Sequence, residues 1–346
     1  MKNLLILIGA AFFLFACESS TNTTESPAAK SESTTKNFKY VTEKFADLQM
    51  IRYQIPGFEK LTLDQKKLVY FLSQAGLSGR DIIYDQNYKY NLKIRTALEN
   101  VLTTYQGDKS SEDWENFTVY LKRIWFSNGI HHHYGMEKIM PDFSRTYFES
   151  LLSQTSTSLD SEIVDVIFDP ELDNKKVNLD ESKGLIAGSA TNFYGEGITA
   201  DDVDAYYESI IVKGEEDPIS YGLNSKLVRD ENGDLKEEVW KVGGMYGEAL
   251  EESIKWLELA VGVAENDAQK KGLELLIEYY QTGDLKTWDE YNIVWAGATE
   301  GDIDYILGFV EVYNDPKGYR GSYESIIEIN DFDASARMSV LQENVQ

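Results

Sequence analysis

The run Tyr305–Tyr313, near the carboxyl end, constrains the fold most, because its composition is that of a strand and a tight turn follows it. It is rich in β-branched and aromatic residues, which favour strands. Asp315 before Pro316, with Gly318 two residues later, supplies turn chemistry. An alternating apolar run resumes over 322–329. The sequence therefore predicts an antiparallel hairpin in this part of the chain.

Alternation within this strand separates its side chains into two sets, since residues two apart share a face. Phe309, Glu311 and Tyr313 are predicted on one face, and Val310 and Val312 on the other. We expect the valine face to pack on the core. The opposite face then carries a carboxylate beside a phenol, where an antiparallel sheet meets water or a cleft. Periodicity alone favours a simpler interpretation, a surface hairpin with one exposed glutamate.

The first half of the chain is predicted to be helix-rich. Apolar residues from Phe38 to Ile51 recur at helical spacing, and Thr62 with Gln65 forms the pattern of a capping box at a helix start. Further helices are predicted over 88–105, 111–126, 142–153 and 160–168. The last should end before Asp169, because the residue that precedes a proline disfavours the helical conformation.

The second half is predicted to be mixed. An Asn-Gly pair within 230–234 predicts a hairpin turn between two strands. The acids of this turn faintly resemble a calcium loop, but its glycine comes too early and no glutamate stands at the twelfth position before an exiting helix. Helices are predicted after Thr199 and over 246–264 and 266–280. The fold class is therefore α+β, with a helix-rich amino-terminal part and a small antiparallel or barrel-like sheet.

The amino end has the pattern of a bacterial lipoprotein leader. A basic start precedes the apolar run Leu4–Phe15, which is too short to span a bilayer. A small residue then precedes Cys17, the only cysteine of the chain, which is the expected lipidation site. We expect residues 1–16 to be a signal peptide and 17–37, rich in Ser and Thr, to be a disordered tether. The protein would be lipid-anchored in the cell envelope without crossing the membrane.

The net charge of the chain limits the kinds of partner that it is expected to bind. With 59 acidic and 33 basic residues, the formal net charge is −26, and loss of residues 1–16 would remove only Lys2 and give −27. Such a charge argues against binding nucleic acid or anionic headgroups. It is compatible with a cleft that attracts cationic amino termini, although a solvated acidic surface is the commoner explanation.

Several segments, taken in order, resemble one family. They are Trp125–Tyr134 (Trp-Phe-Ser-Asn-Gly-Ile-His-His-His-Tyr), Gly222–Leu227, Lys241–Gly244, Thr282–Lys286 and the hairpin at 308–321. Over about residues 38–346 the chain resembles the dipeptidyl peptidase III family of zinc metallopeptidases, most of all its Bacteroidetes-type members. The resemblance implies that the chain forms most of the lower lobe of a two-lobed peptidase.

The resemblance also implies roles for two residues. In that family, the glutamate and tyrosine of a Glu-x-Tyr strand hold the free amino terminus of the peptide substrate, and Glu311 and Tyr313 are the matching positions. An enzyme that removes dipeptides must measure from the amino terminus. A carboxylate is suited to this, because its charge-assisted hydrogen bond to an ammonium is stronger than a neutral contact.

The family's zinc motifs are not found in these 346 residues. Members carry His-Glu-x-x-Gly-His on one helix and a third ligand on another, whereas this chain has three histidines, all consecutive, at 131–133. Consecutive residues of a helix point about 100° apart and do not converge on one metal. On a strand, His131 and His133 would share a face, but we favour structural or cleft-lining roles for all three.

Two functions follow as hypotheses. The first is a dipeptidyl peptidase III-like chain that ends before the zinc-bearing half, binds no zinc by itself, retains part of the cleft and is inactive alone. The alternative is a non-enzymatic lipoprotein that binds peptides or other ligands.

Overall fold

The computed structural model describes residues 38–214 and 216–345. The expected leader, Cys17 and the tether over 17–37 lie outside the described residues. The chain divides into two compact units. One ends at Lys44 and also includes Gln49–Arg52, and the other comprises Phe45–Leu48 and the chain from Tyr53 onward. In the part that the structure describes, no helix is both long and apolar enough to cross a membrane.

The elements follow one another in a helix-rich order. The α-helices are α1 (Leu63–Ser78), α2 (Arg80–Asn87), α3 (Asn91–Thr104), α4 (Glu112–Ser127), α5 (Arg145–Gln154), α6 (Ser161–Phe168), α7 (Ala200–Ile210), α8 (Gly247–Val261), α9 (Asp267–Thr282), α10 (Leu285–Gly297) and α11 (Phe332–Asn344). The strands are β1 (Val41–Phe45), β2 (Leu48–Ile51), β3 (Ser225–Arg229), β4 (Leu235–Val239), β5 (Ile303–Phe309) and β6 (Tyr323–Ile329). Short 3-10 turns lie at Phe58–Lys60 and Glu181–Lys183.

The predicted α+β class is confirmed, with helices dominating the amino-terminal part. Within the described ranges, the strands form three separate two-stranded sheets, β1 with β2, β3 with β4 and β5 with β6. The pairs β3–β4 and β5–β6 are antiparallel. The predicted antiparallel sheet is therefore present as separate two-stranded pairs, and the described strands do not close into a barrel.

Several helices begin or end where short sequence signals predicted. Thr62 accepts a hydrogen bond from the Gln65 N–H, and the Gln65 side chain accepts one from the Thr62 N–H, which completes the capping box of α1. Thr199 and Asp202 form the same box at α7. Helix α6 ends at Phe168, directly before the Asp-Pro pair.

The helix predicted from the apolar spacing over 38–51 is wrong. This segment contains β1 and β2, joined by a turn in which Ala46 has a positive φ of 47°. An apolar residue every three or four positions also fits two short strands, and β-branched Val41 and Thr42 favour an extended backbone.

The larger unit contains two hydrophobic clusters. The first gathers side chains of α1, α7–α10 and β5, and it includes Leu72, Tyr207, Trp240, Leu276, Leu307 and Phe309. The second gathers α3–α6, and it includes Leu98, Phe117, Ile124, Phe148 and Ile167.

Strand β6 is held against the first of these clusters by close packing and by one buried amide. A Cβ on Gly76 of α1 would lie 1.7 Å from the Ser325 Oγ, so the helix backbone lies directly on the strand. The buried Gln86 side chain donates to the Gly321 carbonyl at 3.1 Å and accepts from the Tyr323 N–H at 2.8 Å. The start of β6 therefore has a fixed position, and β5 is in register with it.

Candidate functional site

Strand β5 ends in a bulge. Up to Phe309, which faces Tyr323, each residue of β5 faces one residue of β6. Ser322 then faces two residues, because its carbonyl accepts from the Val310 N–H at 3.0 Å while its own N–H donates to the Glu311 carbonyl at 2.8 Å. One extra residue in a strand bends it and re-aims the side chains that follow.

The bulge corrects the prediction for Phe309. Ile303, Tyr305, Leu307 and Phe309 all face the core, and Phe309 is fully buried, so it does not share the exposed face of Glu311 and Tyr313. An extra residue shifts the in-and-out alternation by one position.

Beyond the bulge the predicted faces hold. Glu311 is exposed and Tyr313 is 63% exposed, while Val310 and Val312 are partly buried against the first core cluster. The valine face therefore packs on the core as expected, and the acid and the phenol point away from it.

Glu311 and Tyr313 lie in an acidic, phenolic neighbourhood. Burial raises the pKa of Tyr313, and the charges of Glu324 and Glu311 and the Tyr134 phenol raise it further. Burial and the Glu311 charge likewise raise the pKa of Glu324. Tyr134, from the histidine-containing segment, and Glu324, from β6, therefore interact electrostatically with Tyr313, and Glu324 also does so with Glu311. Neither was predicted as a site residue, since both interactions join separate segments of the sequence.

The turn after Tyr313 is organised by the buried carboxylate of Asp315. It accepts hydrogen bonds from the Tyr194 hydroxyl at 2.8 and 2.9 Å and from the backbone N–H groups of Lys317, Tyr319 and Arg320 at 2.8–2.9 Å. The Lys317 Nζ also pairs with Asp204 of α7 at 2.6 Å. The turn is therefore fastened to α7 and to the segment before it.

The three histidine rings are engaged in packing and hydrogen bonds. The buried His131 Nε2 lies 2.7 Å from the Asp173 carbonyl oxygen, and burial lowers the pKa of His131 to about 4. The His132 Nδ1 accepts from the backbone N–H groups of Tyr134 and Gly135. The His133 ring packs between those of Phe126, His132 and Tyr134, with centroids 4.5–5.0 Å away.

These histidines do not fit a catalytic zinc site. Such a site needs three converging ligands and an open position, whereas one nitrogen each of His131 and His132 is already bonded within the protein. Over the described residues, no group of three His, Cys, Asp or Glu side chains is placed to hold a metal ion.

Comparison with known proteins shows which family the chain resembles. A sequence profile of peptidase family M49 matches residues 197–346, the carboxyl-terminal part that contains the bulge and the turn. The relatives matched are dipeptidyl peptidases 3. That of Dictyostelium discoideum is 18% identical over 312 residues, which cover 83% of this chain and 44% of the relative. That of Homo sapiens is 28% identical over 138 residues, which cover 39% of this chain and 18% of the relative.

Two solved structures share the fold. The dipeptidyl peptidase III of Caldithrix abyssi superposes with a TM-score of 0.55 at 20% identity, covering 82% of this chain and 43% of that one. The enzyme of Corallococcus sp. strain EGB superposes with a TM-score of 0.56 at 16% identity, covering 84% and 43%.

Residues 197–346 are thus similar to peptidase family M49, a family of zinc metallopeptidases, and most of the chain shares the fold of two of its solved members. More particularly, the relatives and the solved structures that the chain resembles are dipeptidyl peptidases III. It spans less than half the length of these relatives.

Proposed function

We propose that this chain forms the part of a dipeptidyl peptidase III-type cleft that holds the free amino terminus of a peptide, with Glu311 and Tyr313 as its contacts. The bulge opposite Ser322 carries this proposal. It turns both side chains away from the core at the end of a buried strand, and bulges commonly re-aim side chains next to binding sites.

The chemistry of the two side chains suits an ammonium group. The Glu311 carboxylate makes no hydrogen bond or ion pair with any other described residue, so it is available to a ligand. Charge-assisted hydrogen bonds of this kind are about twice as strong as neutral ones. The raised pKa of Tyr313 keeps its phenol protonated, so it can donate to a peptide carbonyl while its ring contacts a side chain.

Hydrolysis is not assigned to these 346 residues alone. The histidines do not fit a catalytic zinc, and the family's His-Glu-x-x-Gly-His pattern does not occur in the sequence. The chain by itself should bind peptides without cutting them. One tightly held zinc per chain, together with release of dipeptides from a chromogenic substrate, would contradict this part of the proposal.

Calorimetric titration of the chain with tetra-alanine, free or acetylated at its amino terminus, tests the clamp. The free peptide should bind more tightly, and Glu311→Ala should weaken its binding about 30-fold, which corresponds to about 2 kcal/mol, the lower end for a partly exposed charge pair. Acetylated peptide should bind weakly to both proteins, because it carries no ammonium.

Glu328→Ala is the matched control. Glu328 is an exposed glutamate at the far end of the same hairpin, opposite Asp304, and its removal should leave binding unchanged. If the unaltered protein binds free and acetylated peptides equally, Glu311 is only a surface residue of a hairpin and the proposal is wrong.

A further inference from the structure

Arg320, at the end of the turn after Tyr313, is buried in an unusual way. Its side chain is fully buried, and none of its three guanidinium nitrogens makes a hydrogen bond within the described part of the protein. A buried charge is costly unless it is paired or otherwise compensated. Such a residue therefore calls for a physical explanation.

Aromatic rings provide part of the compensation. The guanidinium carbon lies 4.7 Å from the ring centroid of Tyr194, 5.1 Å from that of Tyr207 and 5.8 Å from that of Tyr319. Tyr207 and Tyr319 are themselves stacked, with centroids 4.1 Å apart and planes at 17°. A flat guanidinium stacks on such faces, and the interaction is stronger when it is desolvated. We call Tyr194, Tyr207 and Tyr319 the tyrosine box.

Two carboxylates complete the surroundings. The Tyr194 hydroxyl donates to Asp315, and the Tyr207 hydroxyl donates to Glu237 at 2.5 Å. Burial opposes the charge of Arg320, but Tyr194, Tyr207 and these two carboxylates together raise its pKa. The Arg320 cation therefore lies between the turn, which contains Asp315, and the pair formed by Tyr207 of α7 and Glu237 of β4.

The surrounding backbone is shaped to admit the guanidinium. Gly222 has a φ of +80°, and a Cβ at this position would lie 2.7 Å from the Arg320 Nη1 and 2.3 Å from the Tyr207 hydroxyl. The carbonyl oxygen of the next residue, Leu223, accepts a hydrogen bond from the Gly321 N–H at 2.8 Å. The segment before β3 thus encloses the arginine and bonds to the residue that follows it.

The same contacts set the position of the bulge. Arg320 lies two residues before Ser322, whose N–H and carbonyl bond to both sides of the bulge. Asp315 lies two residues after Tyr313 and accepts the Arg320 N–H at 2.9 Å. Glu311 and Tyr313 have no side-chain hydrogen bonds among the described residues, so their position depends on the backbone on either side of them.

We propose that Arg320 is a positioning residue. By seating in the tyrosine box, it fixes the turn and the bulge that aim Glu311 and Tyr313 at the amino terminus of a peptide. This inference rests on the proposed function of those two residues. Arg320 contacts no substrate, and it acts on specificity through the backbone.

Arg320→Lys in the full chain tests this role. Lysine keeps the positive charge but lacks the flat fork that stacks between rings. The preference for free over acetylated tetra-alanine should fall about 10-fold or more, since small misplacements of a binding group have effects of this size. Exchange of the Ser322 amide hydrogen should accelerate, while the far-ultraviolet circular dichroism stays the same. General destabilisation would not change the preference between the two peptides.

Arg145→Lys is the matched control. Arg145 is an exposed arginine that pairs with Glu149 and Asp165, and its replacement should change neither readout. If Arg320→Lys does not fold, Tyr319→Leu replaces it, because Tyr319 is only partly buried and leucine keeps apolar bulk without a π face. This variant should also lose preference for the free peptide, but by less than Arg320→Lys.

The two proposals fail in different ways. If the unaltered chain prefers the free peptide and the folded variants at Arg320 or Tyr319 retain that preference, Arg320 does not position the clamp, and the clamp stands. If the unaltered chain has no preference and Glu311→Ala changes nothing, the clamp itself is wrong and the role of Arg320 falls with it.

Discussion

At the scale of single residues, burial separates the polar side chains around the candidate site into two kinds. Glu311 and Tyr313 are exposed, and their side chains make no hydrogen bonds with other described residues. His131, Asp315 and Arg320 are 2%, 4% and 0% exposed and are held by neighbours within the protein. The second kind has consequences for stability, because burial changes the cost of carrying a charge.

His131 should make stability depend on pH. Its pKa falls from 6.5 to about 4 on folding, mainly through burial, so the unfolded chain binds its proton more readily. Stability from this ring is full above about pH 6.5 and is lost as the pH falls toward 4. Between pH 7 and pH 5 the loss should be about 2 kcal/mol.

Urea unfolding of His131→Phe at both pH values measures this contribution. Phenylalanine keeps the edge contact with Tyr88, whose ring centroid lies 5.6 Å from that of His131, but cannot take up a proton. Between pH 7 and pH 5, the free energy of unfolding of the variant should therefore fall by about 2 kcal/mol less than that of the unaltered protein. Equal losses in the two proteins would show that His131 does not titrate in this range.

At the scale of elements, the sequence was a good guide wherever a boundary depends on neighbouring residues. The capping box at Thr62, the stop before Asp169 and the turn at 230–234 are short-range features, and the structure has each of them where the sequence predicted it. The segment 38–51 was mistaken because apolar spacing over so few residues fits two strands as well as one helix.

The features that give the site its shape could not be predicted from neighbouring residues in the sequence. The bulge exists only in relation to Ser322 on the partner strand, so the alternation wrongly placed Phe309 beside Glu311. The tyrosine box joins Tyr194 and Tyr207 to a residue more than a hundred positions away, and its one local sign was an arginine in an otherwise ordinary turn.

The capping box of α1 should contribute measurably to stability. Besides closing the box, the Gln65 Nε2 donates to Glu265 at 2.8 Å and to Asp302 at 2.9 Å, which lies just before β5. Thr62→Ala should cost about 1 kcal/mol of unfolding free energy, measured in urea at constant slope. Thr62→Ser is the control, because serine caps a helix at least as well. Equal losses for Ala and Ser would mean that the methyl group, rather than the cap, matters.

At the scale of the whole molecule, the charge of −26 shapes encounters with partners. A strongly negative protein attracts cationic groups, such as peptide amino termini, and is repelled by anionic membrane surfaces. Attachment to a membrane would therefore need a contribution other than headgroup electrostatics. We propose that lipid on Cys17 supplies it.

Expression of the chain in a bacterial host tests this proposal. The protein should lose residues 1–16, gain the mass of a lipid on Cys17 and sediment with membranes, because several acyl chains together anchor a protein stably. Cys17→Ser should gain no lipid mass and should leave the membrane fraction, since nothing in its charge holds it to anionic lipid. Ser19→Ala, two residues away, is the control and should behave like the unaltered protein. A Cys17→Ser protein that stays with the membranes, with mass and processing unchanged, would show that Cys17 is not the anchor.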